Sequence, residues 1–205
     1  MTKDNFKKIF STFDRNYVPI PLEVFGENPY KTLVSTLLSS RTKDEVTLKS
    51  SKRLFEEAPN INRLGKLSQT KIQKLIYPVG FYKSKARHLA KLADMVIQNH
   101  RGKIPNTKEE LMKLPGVGRK TANLVLNRAF RIPAIAVDTH VHKISNLLSW
   151  VKTKTPEKTE VELIKILPKK YWSDTNRLFV SIGRQFNTQK KLLSFLKRKK
   201  LINTP

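Results

Sequence analysis

The sequence predicts an all-α protein. Apolar residues recur at helical spacing in one run after another, and no alternation of apolar and polar residues lasts beyond a few positions. Glycine and proline fall at the ends of the apolar runs rather than inside them, where they would break a helix. With 205 residues, the chain can form one domain or two small ones with a sizeable core. It has no internal repeat and no low-complexity tract.

The elements follow in order. Residues 2–13 read as a short basic helix with Phe6, Ile9, Phe10 and Phe13 on one face. Tyr17-Val18-Pro19-Ile20-Pro21 reads as an extended linker. Pro29 opens a helix through Leu38 whose apolar run, Leu33, Val34, Leu37 and Leu38, suits a buried position. The polar stretch Ser39-Ser40-Arg41-Thr42-Lys43-Asp44 makes a turn, with Thr42 or Asp44 expected to cap a helix over 45–57. Residues 44–57 and 69–77 are amphipathic, and Ser68 is expected to cap the second of these helices.

Pro78-Val79-Gly80-Phe81-Tyr82 is a glycine turn feeding a helix that runs to about His100; on the residues alone, Phe81 and Tyr82 are core aromatics anchoring the loop. Thr107-Lys108-Glu109-Glu110 has the capping-box pattern. After Asp138 a helix runs to about Trp150. Thr155-Pro156-Glu157 starts another and Pro168 stops it, and Ser173 to about Phe186 leads into a last basic helix, Gln189–Lys200.

Forty-one lysines and arginines against 16 acidic residues give a formal net charge of +25. An excess this large calls for a polyanionic partner. Nucleic acid is favoured over anionic lipid, because the chain has neither an amphipathic membrane helix nor a lipidation signal. With no cysteine there can be no disulfide, thiol nucleophile or thiolate-held metal cluster. The polar N-terminus lacks a signal-peptide core and no apolar run approaches the ~20 residues that span a bilayer, so an intracellular soluble protein is expected.

The chain is organised around Leu111–Asn146. Pro115 ends one helix, Gly116 and Gly118 bracket a turn, and the helix that follows starts with free amides and the positive end of its dipole. Such a start is a phosphate seat. Lys120 lies in its first turn, and Asp138 opens the next helix 138 − 120 = 18 residues later. The apolar connector Ile132-Pro133-Ala134-Ile135-Ala136-Val137 is expected to be buried. Each alone, in an anonymous helix pair, reads better as the simpler thing: Lys120 as a surface phosphate clamp, Asp138 as a helix N-cap.

The words L-P-G-V-G-R-K-T-A-N at 114–123 and A-V-D-T-H-V-H-K-I at 136–144 closely resemble the helix-hairpin-helix motif and catalytic aspartate segment of the endonuclease III family of DNA glycosylases. Weaker similarity covers roughly residues 25–187. The resemblance implies a six-helix barrel over 22–132, with the hairpin motif at about 108–130. A second helical lobe, made of 1–21 plus 133–205, would complete the molecule, with DNA across the cleft. It implies that Lys120 and Asp138 are catalytic and that Gly116, Val117, Gly118 and Arg119 hold DNA. Ser39 and Asp44 would border the pocket for the extruded base. Arg41 stands where the family has a gap-filling glutamine, and Phe81 where it has an apolar wedge, usually leucine. Lys83 and Lys85 would lie near phosphates, and His140 and Lys143 would contact the backbone, unless His140 only orders its helix start.

Most of the family ends in four cysteines holding an iron–sulfur cluster. Here Gly183-Arg184-Gln185-Phe186-Asn187 puts Asn187 in the first cysteine's place, and no cluster is expected. An apolar face with Leu192, Leu193, Phe195 and Leu196 is expected to replace it; the lysines around that face are either a basic surface toward DNA or a solvated tail.

The chemistry the resemblance implies is base removal followed by strand cutting. A lysine amine can attack the anomeric carbon of the sugar and form an imine, which a hydroxyl cannot. A free lysine, with a pKa near 10.4, is almost wholly protonated at neutral pH. The helix start and Arg119 both make a further positive charge at Lys120 less favourable. Asp138 would stabilise the positive charge building on the sugar. The base must first be flipped out of the duplex. The leading expectation is a monomeric bifunctional DNA glycosylase and apurinic/apyrimidinic lyase acting on oxidised pyrimidines. The alternatives are a mismatch or uracil glycosylase of the same superfamily, whose thymine–guanine members typically lack the lysine, and a non-catalytic hairpin module that grips DNA.

Overall fold

The computed structural model describes residues 3–202, and among them every regular element is a helix. The chain divides into two compact units, one formed by 21–132 and the other by 1–20 with 133–205.

The first unit is built around α2. Its range, Pro29–Ser39, starts with proline in the first turn, and the Asn28 side chain accepts from the Lys31 amide at 3.0 Å. Tyr30, Leu33, Val34, Leu37 and Leu38 of α2 are all buried, so it is surrounded by its unit rather than amphipathic. It packs against α3 (Asp44–Glu57), α6 (Tyr82–His100) and α8 (Arg119–Phe130). Between α3 and α6 lie α4 (Ile61–Gly65) and α5 (Gln69–Ile76), and α7 (Lys108–Lys113) precedes α8. Caps place these boundaries: Asn60 for α4, the expected Ser68 for α5, and Thr107 for α7. The expected caps of α3 are replaced. Lys43 occupies the N-cap without a side-chain bond, and Asp44 is already inside the first turn. There its negative charge faces the positive helix end.

The second unit contains α1 (Lys3–Arg15), α9 (Thr139–Leu147), α10 (Pro156–Ile166), α11 (Trp172–Gln185) and α12 (Gln189–Arg198). The four apolar residues predicted on one face of α1 are buried, with Ile9 and Phe13 fully so. They enter a core with Trp150, Phe179, Leu192, Phe195 and Leu196. Phe10 stacks on Tyr171 at 4.3 Å, and Phe13 meets Phe179 edge-on at 5.1 Å between ring centroids, both favoured aromatic geometries. Phe186, just before Asn187, stacks on Phe195 at 4.3 Å. Leu193 is only half-buried. The connector expected to be buried throughout becomes so only at Ala134, with Ile132 and Pro133 exposed.

Candidate nucleic-acid interface and active site

In the hairpin, Gly116 has φ +81°, and an added Cβ would stand 3.1 Å from His88 Nδ1, so both backbone and space call for glycine. Gly118 is different. It is the N-cap of α8 with extended backbone, φ −99°, and a Cβ there would meet nothing within 4 Å. The turn does not demand this glycine. Its consequence is that α8 starts without a capping side chain, unlike α2, α4, α5, α7, α9, α10 and α12. The first-turn amides therefore open onto space that an anionic group can enter. Val117 belongs to the frame of this turn. Its side chain is buried and its amide donates to Leu114 O at 3.1 Å, which leaves that amide unavailable to a phosphate. Arg119 and Lys120 are both exposed on the first turn of α8.

Asp138 caps α9 through Oδ1, which accepts from the Val141 amide at 2.9 Å. The cap uses one carboxylate oxygen and a carboxylate has two. Both readings of this residue are therefore compatible: it can fix the helix start and still present an acceptor. Its approach is held by α11, where Asn176 Nδ2 donates to Ala136 O at 3.0 Å. Two residues later the His140 ring lies against Gly183, where any Cβ would come within 2.2 Å of Nδ1. His140 thus has a packing role in ordering α9, while Lys143 is half-exposed on the same helix. His142 joins α9 to α10 by a 2.6 Å hydrogen bond between Nδ1 and Thr159 Oγ1.

The turn after α2 and the turn before α6 lie in the same unit as the hairpin. Phe81 is 63 % exposed, so it is not a core anchor, and it takes the left-handed φ of 58°. The Arg41 guanidinium lies over its ring, 5.6 Å from the centroid, a cation–π contact. Both border a cavity of about 340 Å³ that Leu37, Ser40, Ser84, Lys85, His88 and Gly116 also line, so it links these turns to the hairpin. Ser39 and Asp44 are not part of that lining. Ser39 Oγ instead donates to Thr36 O at 2.8 Å, turning back on its own helix.

Lys83 is exposed. Lys85, expected near phosphates, points the other way. Its Nζ donates to Leu38 O at 2.8 Å, Ser40 O at 2.6 Å and Thr42 Oγ1 at 3.3 Å, which occupies all three N–H donors. It closes the C-terminal, negative end of α2. Burial pulls its pKa down to about 8, and the three oxygens oppose this by favouring the charged form. Lys85→Met keeps the stem and removes the ammonium. It should lower unfolding stability by about 1–2 kcal/mol in denaturant titration, the scale of hydrogen bonds to a charged donor left to water.

Sequence reading missed Lys85 as a clamp, and also Ser84 and His88. The spacing could have signalled the shared lining, since 81, 84, 85 and 88 lie on one helical face, but not the Lys85 bonds.

The profile of the HhH-GPD superfamily base excision DNA repair proteins matches residues 34–169. Over 185 residues the chain is 43% identical to endonuclease III of Thermotoga maritima, covering 90% of this chain and 84% of that one. The chain belongs to the HhH-GPD superfamily of base excision DNA repair proteins. Its fold matches a non-covalent endonuclease III–DNA complex with a TM-score of 0.84 at 33% identity, over 98% of this chain and 97% of that one. A trapped endonuclease III–DNA covalent intermediate, an estranged-adenine complex, matches with a TM-score of 0.80 at 33% identity, over 93% and 90%. The all-helical architecture is that of these endonuclease III structures. This HhH-GPD chain is thus a DNA-binding base excision repair protein of the endonuclease III group. Among its described residues, no helix is long and apolar enough to cross a membrane, and no three His, Cys, Asp or Glu side chains stand where they could hold a metal ion.

Proposed function

We propose that this chain, a DNA glycosylase and AP lyase of the endonuclease III type, removes oxidised pyrimidines from duplex DNA with Lys120 as its nucleophile. The observation that carries the proposal is the exposed Lys120 on the uncapped first turn of α8. There the helix start that seats a phosphate also presents an amine. The amine, once deprotonated, attacks the anomeric carbon. The glycosidic pair leaves with the base, which takes up a proton, and the sugar ring opens to an imine with Lys120 Nζ. Loss of a proton from the neighbouring sugar carbon then expels the 3′ phosphate by β-elimination. Asp138 stabilises the positive charge on the sugar as the base departs and assists deprotonation of the amine.

Exposed Lys83 and Arg119, with half-exposed Lys143, supply the positive charge that holds the backbone. The second unit works without an iron–sulfur cluster, since the chain has no cysteine to ligate one. The protein acts as a monomer inside the cell, in the cytoplasm or on the nucleoid, or in the nucleus if the source is eukaryotic.

The test is a base-release panel with wild-type protein on duplexes carrying oxidised pyrimidines, uracil or a thymine–guanine mismatch, beside borohydride trapping on abasic-site DNA. Release from oxidised pyrimidines together with a trapped complex is expected. Release confined to uracil or the mismatch would overturn the substrate class. Salt-sensitive binding with neither trapping nor nicking would overturn the lyase chemistry.

A further inference from the structure

We propose that the cavity bordered by His88 is a second phosphate seat beside the hairpin, and that the His88 imidazolium binds a backbone phosphate of duplex DNA there. The inference rests on the proposed seating of DNA at the start of α8, but not on any base being removed. Place, chemistry and electrostatics each support it.

The cavity of about 340 Å³ is at the small end of ligand pockets, which run to roughly 1,000 Å³. Leu37 in its lining is buried, Ser84, Lys85 and His88 are half-buried, and Ser40, Phe81 and Gly116 are exposed, so it opens outward. His88 touches the hairpin. A Cβ at Gly116 would stand 3.1 Å from its Nδ1 and 3.4 Å from its Cβ. Arg119, where α8 begins, is three residues on, which an extended chain covers in about 11 Å. One stretch of DNA backbone can therefore reach both places.

Every polar side chain in the lining can donate a hydrogen bond, and none carries a negative charge. Lys85 keeps its charge there while its three N–H groups are occupied by Leu38 O, Ser40 O and Thr42 Oγ1. His88 is different. Among the described residues, neither of its ring nitrogens has a hydrogen-bond or ion-pair partner. A half-buried polar group normally finds one, and this ring borders an open cavity instead. Neutral imidazole has one donor and one acceptor, whereas imidazolium has two donors. A phosphate oxygen only accepts, and charge-assisted bonds to it are the strong kind. The Ser84 hydroxyl, one turn earlier on the same face of α6, can add a further donor.

The charges around His88 set the sign of its response. On α6, Lys85 lies one turn before it and Lys91 one turn after, while Asp94 is on another face. Arg41 comes from the turn after α2, and Arg119 and Lys120 from the start of α8. The helices packed on α6, namely α2, α4 and α5, bring Lys31, Arg63, Lys71 and Lys74 and no carboxylate. On α7, Glu110 is paired with Lys113, and no acidic residue occurs from 111 to 137. In the free protein these cations disfavour a further positive charge on the ring, and a phosphate favours it. His88 should therefore take up a proton as DNA binds. DNA should in turn be held less tightly as pH rises through the range in which histidines titrate. The coupling is reciprocal, so about tenfold in affinity corresponds to about one pH unit in the midpoint of the ring.

The ring itself is the readout. The ring C–H signals of the four histidines are followed by NMR from about pH 5 to about pH 8, with His88→Gln to assign the one in question. The titration is run on free protein and on protein saturated with a duplex carrying a tetrahydrofuran abasic analogue, which cannot form an imine. The His88 midpoint should rise by about one pH unit on binding, and that of His100, at the far end of α6, should stay in place. Affinity for the same duplex should fall about tenfold over this range in wild type, and His88→Gln should flatten the profile. A His88 midpoint that does not move overturns the proposal, as does a pH profile that survives His88→Gln. Inorganic phosphate at millimolar concentration is the second arm: if it alone produces the full shift and the duplex adds nothing, the cavity takes the free anion and the assignment to DNA falls. Base release from an oxidised pyrimidine, measured in parallel, keeps the two readings apart. A His88 response without release leaves this inference standing and removes the proposed substrate class, and release without a His88 response does the reverse.

Discussion

Lys120→Ala should lose borohydride trapping on abasic-site DNA entirely and slow strand cleavage by at least about 10³-fold, the scale on which removal of a covalent nucleophile acts. The loss should fall on chemistry rather than on folding or binding. Lys120 is exposed, and surface substitutions of this kind change stability by no more than about 0.5 kcal/mol. The proposed phosphate seat is the backbone at the start of α8 behind Gly118, which the substitution leaves in place. Affinity for DNA with an abasic analogue should therefore fall less than tenfold, roughly the share of one phosphate contact. Lys120→Arg sharpens the test. It keeps the positive charge at the helix start but has no amine to form an imine, so it should bind like wild type and still fail to trap. If Lys120 were only a clamp, Lys120→Arg would restore cleavage, and Lys120→Ala would lower the salt slope of binding by about one with cleavage retained at saturating enzyme.

What the sequence made legible was local. Pro115 before Gly116 set the hairpin, Ser68, Thr107 and Thr155 capped the helices they were expected to cap, and the four apolar residues of α1 gave its buried face. These signals act within one turn of chain. Helix α4 escaped because its five residues, Ile61–Gly65, are too few to display a period. The clamp made by Lys85 escaped for a different reason: its acceptors lie 43 to 47 residues away, and nothing in Ser84-Lys85-Ala86 says that the ammonium turns inward. The same holds for Gly183. It reads as part of a motif word, while its lack of a side chain makes room for the His140 ring. Arg41 and Phe81 were each legible as departures from a family pattern, but their contact is a tertiary fact.

The second unit carries the other large effect, because one aromatic cluster packs α1 against α11, the helix that binds the segment leading to Asp138. Phe179 is fully buried, with its ring 5.1 Å from Phe13, 5.5 Å from Trp150 and 5.9 Å from Phe10, so one side chain joins α1, α11 and the loop after α9. Phe179→Ala would remove the ring and leave a void among residues that are themselves too bulky to close it. The expected cost is about 3–5 kcal/mol. For a chain of this size that is a fall in Tm of roughly 6–20 °C, read by calorimetry or circular dichroism. Phe179→Leu refills much of the volume and should cost less than half as much. With no cysteine anywhere in the chain, neither a disulfide nor a thiolate-held metal can limit the loss. The α9 start contacts α11 through Asn176 and Gly183, so cleavage by Phe179→Ala should fail at temperatures where wild type is active, and recover on cooling if the proposed nucleophile on α8 is untouched. A variant that melts normally would show that the aromatic cluster is not what supports this unit.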